Sequence, residues 1–254
     1  MDHYMDRYDS FHKTIVYNFR IGHGGIGDCI KFFMFILESS MKNGTRLYYK
    51  KNGIELENYL KLKYDKMYID DEGIRQLEGA EIVEPEDYYS TVHSEYSVDI
   101  KDVFYFTEGV KANCRRLFPT DITNYVSVHV RLGDKFLETD KRFVMCKNDA
   151  RSFSEEGLYA TLEENGSSRH VFFCCDNNAF KVRVKERFPN VITTTCEIGH
   201  TSLSNTNRQQ VLDGITEFYI LTNSEKIYGV SLSGFSRLAS KFNRIPYVQL
   251  PPST

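Results

Sequence analysis

Tyr125-Val126-Ser127-Val128-His129-Val130-Arg131-Leu132-Gly133-Asp134 decides how this chain is read. It opens as an apolar, β-branched run of strand length and closes on a charged turn marked by glycine. Side chains alternate across a strand, so His129 and Arg131 share one face while Val128 and Val130 share the other. An arginine at a strand end beside glycine is poorly placed for packing. It is well placed to fork two N–H donors onto a phosphate, each charged hydrogen bond contributing roughly 1.5–3 kcal/mol. Pairing of Arg131 with Asp134 is an equally natural reading of the same spacing.

Strand and helix patterns alternate outward from this stretch. Residues 154–165, 178–188, 208–222 and 234–243 read as helices. Residues 170–175, 191–194, 226–230 and 247–250 read as strands. Upstream, residues 14–19 read as a buried strand, 29–42 as a helix and 46–50 as a strand. Helical patterns follow at 55–62 and 73–78, a short strand at 81–83, and a helix at 108–118 that stops at Pro119. This rhythm predicts an α/β fold with mostly parallel sheets. A boundary near 119–124 divides it into two Rossmann-like domains with a cleft between them, residues 1–119 and residues 120–254. Ligands of open parallel sheets sit beyond the carboxyl ends of strands, and each candidate site falls at such an end.

Three further segments carry candidate chemistry. Ser231-Leu232-Ser233-Gly234-Phe235-Ser236 joins a strand to a helix. The backbone N–H groups of that helix start, with the hydroxyls of Ser233 and Ser236, form an anion site, unless the serines simply cap the helix. Asp176 follows the buried strand 170–175 and either accepts from a base or ribose or caps the next helix. The loop Gly22-His23-Gly24-Gly25-Ile26-Gly27-Asp28 follows the first strand. It matches neither the dinucleotide fingerprint nor the P-loop. Its glycines permit close backbone approach, and Asp28 projects near a helix start, where a carboxylate is favoured.

The chain has 254 residues, enough for one large domain or two small ones, and 41% are hydrophobic, which argues against extensive disorder. A net charge of -3 supplies no general attraction to nucleic acid or anionic membrane. The apolar stretch 30–37 is far too short to span a bilayer, and residues 1–13 lack the apolar core of a signal peptide. A cytoplasmic location is therefore expected. The six cysteines, with no C-x-x-C pair, read as reduced and structural rather than as zinc ligands. The polar, tyrosine-rich stretch 85–102 reads as a surface loop over a site, and the tyrosines from Tyr88 to Tyr105 either shape that site or pack as an aromatic surface.

Together these motifs resemble the fucosyltransferase superfamily of α1,2-, α1,6- and protein O-fucosyltransferases. His129-Val-Arg131-Leu-Gly133-Asp134 is similar to its H-x-R-x-G-D motif, and Cys175-Asp176 to its strand-end aspartate motif. Residues 213–239, ending in a serine, a spacer and Phe-Ser, resemble its C-terminal motif. Gly24-Gly25-Ile26-Gly27-Asp28 resembles its G-G-x-G-N loop, with Asp in place of Asn. The resemblance implies a GT-B-like pair of domains, a GDP-fucose donor, a glycan acceptor, inversion at the anomeric carbon, and neither metal nor further cofactor. It places the donor β-phosphate at Arg131 and supporting donors at Ser231, Ser233, Gly234, Phe235 and Ser236. It places the nucleoside at Asp176, and His129 against Arg131 or the donor. Asp28, preferred because its loop faces the second domain, or Asp134 is then the base. The N-terminal domain faces the acceptor. The alternatives are another donor such as UDP-xylose, or a nucleotide- or sugar-binding module without turnover.

Overall fold

The computed structural model describes residues 1–251 apart from 94, 120, 139–141, 143, 145, 197, 198, 200–202 and 204. The first half holds helix α1 (Asp2–Arg7), strand β1 (Lys13–Tyr17), helix α2 (Ile26–Asn43) and strand β2 (Thr45–Lys50). Strands β3 (Leu60–Leu62) and β4 (Tyr68–Ile69), helix α3 (Asp71–Gln76) and strand β5 (Glu81–Val83) follow. Helix α4 (Ile100–Val103), strand β6 (Phe104–Phe106) and helix α5 (Glu108–Leu117) complete that half. The second half runs β7 (Tyr125–Val130), α6 (Glu155–Gly166), β8 (His170–Cys175), α7 (Asn178–Arg187) and β9 (Ile192–Thr193). It ends with α8 (Arg208–Leu221), β10 (Lys226–Gly229), α9 (Gly234–Phe242) and β11 (Tyr247–Gln249).

Two parallel sheets result, ordered β4-β2-β1-β5 and β11-β10-β7-β8-β9. The α/β expectation holds. In the second sheet β7 is central and wholly buried. Val126, Val128 and Val130 face a cluster with Leu158, Leu162, Phe173 and Phe180. The opposite face of that sheet packs on α8 and α9 and joins the larger core, which contains Tyr17 and Leu47 of the first sheet with Phe172 and Ile227 of the second. Helix α2 contributes Ile30, Phe33, Met34 and Leu37 to this core, all fully buried. Each such side chain contributes roughly 1.5–3 kcal/mol.

The sheets fall on either side of the expected boundary, whose residue 120 lies outside the described residues. Helix α5 nevertheless packs on α8. Asn113 donates to Asp213 at 2.8 Å and to Thr216 at 2.9 Å. One sequence expectation fails outright. Residues 55–62 form a 3-10 turn, Glu55–Asn58, and then β3, which pairs antiparallel with β6. Leu60 and Leu62 alternate inward there, so tertiary pairing overrides a helical pattern.

Candidate functional site

Alternation along β7 delivers the expected pair to one face. His129 sits against the Phe235 ring, centroids 5.4 Å apart, and its Nδ1 is 3.0 Å from the Ser236 hydroxyl. Burial, and then the Arg131 charge, push its pKa down to about 3, so the ring is neutral. His129 therefore ties the central strand to the first turn of α9. Ser231 latches the next step: its hydroxyl accepts from the Arg131 N–H at 2.7 Å and donates to the Arg131 carbonyl at 2.8 Å. Ser231 and Ser236 are both buried by these contacts.

The Arg131 guanidinium lies between two carboxylates. It pairs with Asp134 through one nitrogen and with Asp176 at 3.0 Å through the other. Asp176 also accepts the backbone N–H groups of Leu132 at 2.7 Å and Gly133 at 3.1 Å. It thus folds the turn after β7. Capping of α7 falls instead to Asn177, which accepts from the Phe180 N–H at 2.7 Å. Gly133 takes φ +103°, and a Cβ there would run into the Asp149 backbone. Only glycine fits this turn without strain. Asp149, unnoticed in the sequence, also accepts from the Asp134 N–H at 3.2 Å and pairs with Arg151 at 2.7 Å.

The helix start is more open. Ser233 caps α9 by accepting from the Phe235 N–H at 3.2 Å, as the capping reading expected. Gly234 is exposed, with nothing within 4 Å of the position of an added Cβ. The positive end of a helix that begins on an exposed glycine favours an anion.

The glycine loop meets this helix start. A Cβ on Gly27 would lie 3.6 Å from the Gly234 backbone. Asp28 accepts from the Gly25 N–H at 3.2 Å, which caps α2, and pairs with Lys31 at 3.2 Å. Its side chain remains 41% exposed. Gly24 takes φ +114° and leaves room for that carboxylate. The structure so gathers His129, Arg131, Asp134, Asp176, Ser231, Ser233, Gly234, Phe235 and Ser236 at one sheet end and brings Gly27 of the other against Gly234, whereas the contacts of Asp28 stay with Gly25 and Lys31 of its own loop and helix.

Sequence reasoning missed the surroundings of the loop. His23 is buried, its Nε2 lying 3.7 Å from both the Glu84 and Glu86 carboxylates. Arg20 bonds His23 at 3.0 Å and Glu84 at 2.9 Å. The His23 ring and the Glu84 and Glu86 carboxylates lie close enough together to hold a metal ion. Glu84 and Glu86 flank Pro85 after β5, and only the parallel pairing of β5 with β1 brings them to the loop. A second unforeseen group is the buried pair Lys181–Glu217 at 2.9 Å, joined by Thr194 and by Cys174 at 3.1 Å. Among the described residues no helix is long and apolar enough to cross a membrane. All six cysteines are free thiols.

No protein-family model and no curated protein matches the chain. Solved structures do. Fucosyltransferase NodZ from Bradyrhizobium superposes with a TM-score of 0.61 at 11% identity, over 96% of this chain and 97% of that one. A mutant of Arabidopsis thaliana FUT1 in complex with GDP gives 0.58 at 10%, over 100% of this chain and 75% of that one. POFUT1 in complex with GDP gives 0.51 at 10%, over 94% and 98%. The chain therefore has the α/β fold of these fucosyltransferases.

Proposed function

We propose that this chain is a metal-independent, inverting glycosyltransferase that transfers fucose from GDP-fucose to a glycan hydroxyl. The observation that carries the reading is the placement of Arg131 at the end of the central strand, latched through Ser231 and His129 to the open start of α9. Structures of the same fold were solved with GDP and, for NodZ, after soaking with GDP-fucose. In this reading residues 120–254 hold the donor and residues 1–119 face the acceptor.

The chemistry follows from charge. The acceptor oxygen forms its bond to the anomeric carbon as its proton passes to a carboxylate. The bond from that carbon to the β-phosphate oxygen breaks, and its electron pair leaves with GDP. Arg131 and the N–H groups of α9 stabilise that developing charge as preorganised electrostatics, in place of a magnesium ion. A diphosphate carries more charge than the Asp134 carboxylate, so it displaces Asp134 from Arg131 while Asp176 keeps its hold. Asp28 is the preferred base, being exposed and next to Gly27 at the helix start. Asp134, once displaced, is the alternative.

Thermal stabilisation by GDP, UDP, ADP and CMP, with and without EDTA, tests the donor. A ligand at 100 times its Kd adds about 2.7 kcal/mol, roughly 5–10 °C for a chain of this size. A GDP-selective shift that survives EDTA is expected. A UDP-selective shift moves the donor to xylose or a relative. No shift with any nucleotide removes the donor site.

A further inference from the structure

We propose that the acceptor is a neutral pyranoside that docks on the Tyr89 ring with its hydroxyls bound by Glu86 and Asp28. The inference rests on the transferase reading above and assigns its acceptor site. The tyrosine-rich stretch after β5 holds several rings, and the structure separates them. Tyr88 packs edge-on against Phe35 at 5.6 Å. Tyr96 is partly buried and donates to the Lys31 carbonyl at 3.3 Å. Tyr105 is exposed but belongs to the antiparallel pair β3–β6. Tyr89 is 55% exposed and stands edge-on to Phe32 of α2, centroids 5.2 Å apart.

What surrounds Tyr89 is suited to a sugar. It directly follows the 3-10 turn Pro85–Tyr88, whose three-residue repeat puts Glu86 on the same side. The Glu86 carboxylate is 49% exposed and is held 3.7 Å from the buried His23 ring. Asp28 lies one helical turn before Phe32, and Lys31 bridges them, pairing with Asp28 and lying 4.4 Å from the Phe32 ring centroid. Burial and then the Glu86 and Asp28 charges raise the Tyr89 phenol, in keeping with their closeness. An exposed ring takes the C–H face of a pyranose, and carboxylates accept from its hydroxyls. Gly27 lies against Gly234, so a sugar on this face adjoins the donor helix. Three carboxylates (Asp28, Glu84, Glu86) meet two cations (Arg20, Lys31) here. The excess of negative charge excludes acidic sugars.

Saturation-transfer NMR on the full chain, with and without GDP, tests this with methyl β-galactoside, β-glucoside and β-N-acetylglucosaminide, and with methyl β-glucuronide as the acidic probe. At least one neutral glycoside binds, and Tyr89→Ala and Glu86→Gln each weaken it about tenfold without moving GDP affinity. Tyr89→Phe retains binding, and Tyr105→Ala leaves it unchanged. The site is overturned if no neutral glycoside binds, if Tyr89→Ala binds like the parent, or if the glucuronide is preferred. GDP binding without any glycoside contact removes the sugar site alone. Glycoside binding through Tyr89 without GDP binding removes the transferase reading and keeps a sugar site.

Discussion

The carboxyl ends of the two sheets are built on opposite terms. At the second, Arg131, Asp134, Asp176, His129, Ser231 and Ser236 bond chiefly one another and the backbone, and most are buried. At the first, Glu86, Asp28 and Tyr89 keep about half of their surface open. In the proposed reading the donor diphosphate takes the place of Asp134 on Arg131 when it binds, and the rest of the cluster, held by Asp176 and Ser231, needs no further reorganisation when charge develops. An open ring with half-solvated carboxylates suits a neutral partner bound by its hydroxyls. The difference fits the proposal that the donor binds at the second end and the acceptor at the first.

Arg131→Ala is the most severe way to break this contrast. It nearly abolishes turnover and weakens GDP binding by about 2–3 kcal/mol, measured by calorimetry on protein shown folded by circular dichroism. Unchanged GDP affinity removes Arg131 from the phosphate. Asp28→Asn comes next, lowering turnover by about 10²-fold or more with GDP affinity intact. A fully active Asp28→Asn beside an inactive Asp134→Asn moves the base to the buried end.

Stability tests sharpen the same contrast. Lys181→Met strands the buried Glu217 carboxylate and costs about 3–5 kcal/mol, read by denaturant unfolding. Gly133→Ala costs at least about 1–3 kcal/mol for a backbone conformation that glycine alone adopts readily, and more because the added Cβ meets the Asp149 backbone, again read by denaturant unfolding. His129 stays neutral when folded down to about pH 3, whereas the unfolded chain takes up its proton near pH 6.5. The unfolded state thus binds more protons between these values, and stability falls as the solution is acidified through that window. His129→Phe removes one proton from this dependence, about 1.4 kcal/mol per pH unit at most, seen as a shallower slope of unfolding free energy against pH.

Much of the carboxyl end of the second sheet was legible because it is local. The strand period put His129 and Arg131 on one face, and a strand–serine–glycine–helix junction marked the start of α9. Two of the competing readings also hold, since Arg131 does pair with Asp134 and Ser233 does cap its helix, whereas Asn177 rather than Asp176 caps α7. The helix over 55–62 was misread because Leu60 and Leu62 bury against β6, a partner more than forty residues away that no local window contains.

The sequence by itself determined the alternation of strands and helices, the parallel class of the sheets, and the residues at the end of β7, since periodicity and turn chemistry act over a few neighbours. Tertiary structure alone decided which groups remain free. Asp176 and Asp134 are engaged because Arg131 folds back between them. Asp149 enters through a contact with Gly133, and Lys181 meets Glu217 across two helices. Glu84 and Glu86 reach His23 only because β5 pairs beside β1. Each of these depends on parallel strands or packed helices bringing distant positions together, and a one-dimensional pattern carries no information about that closure.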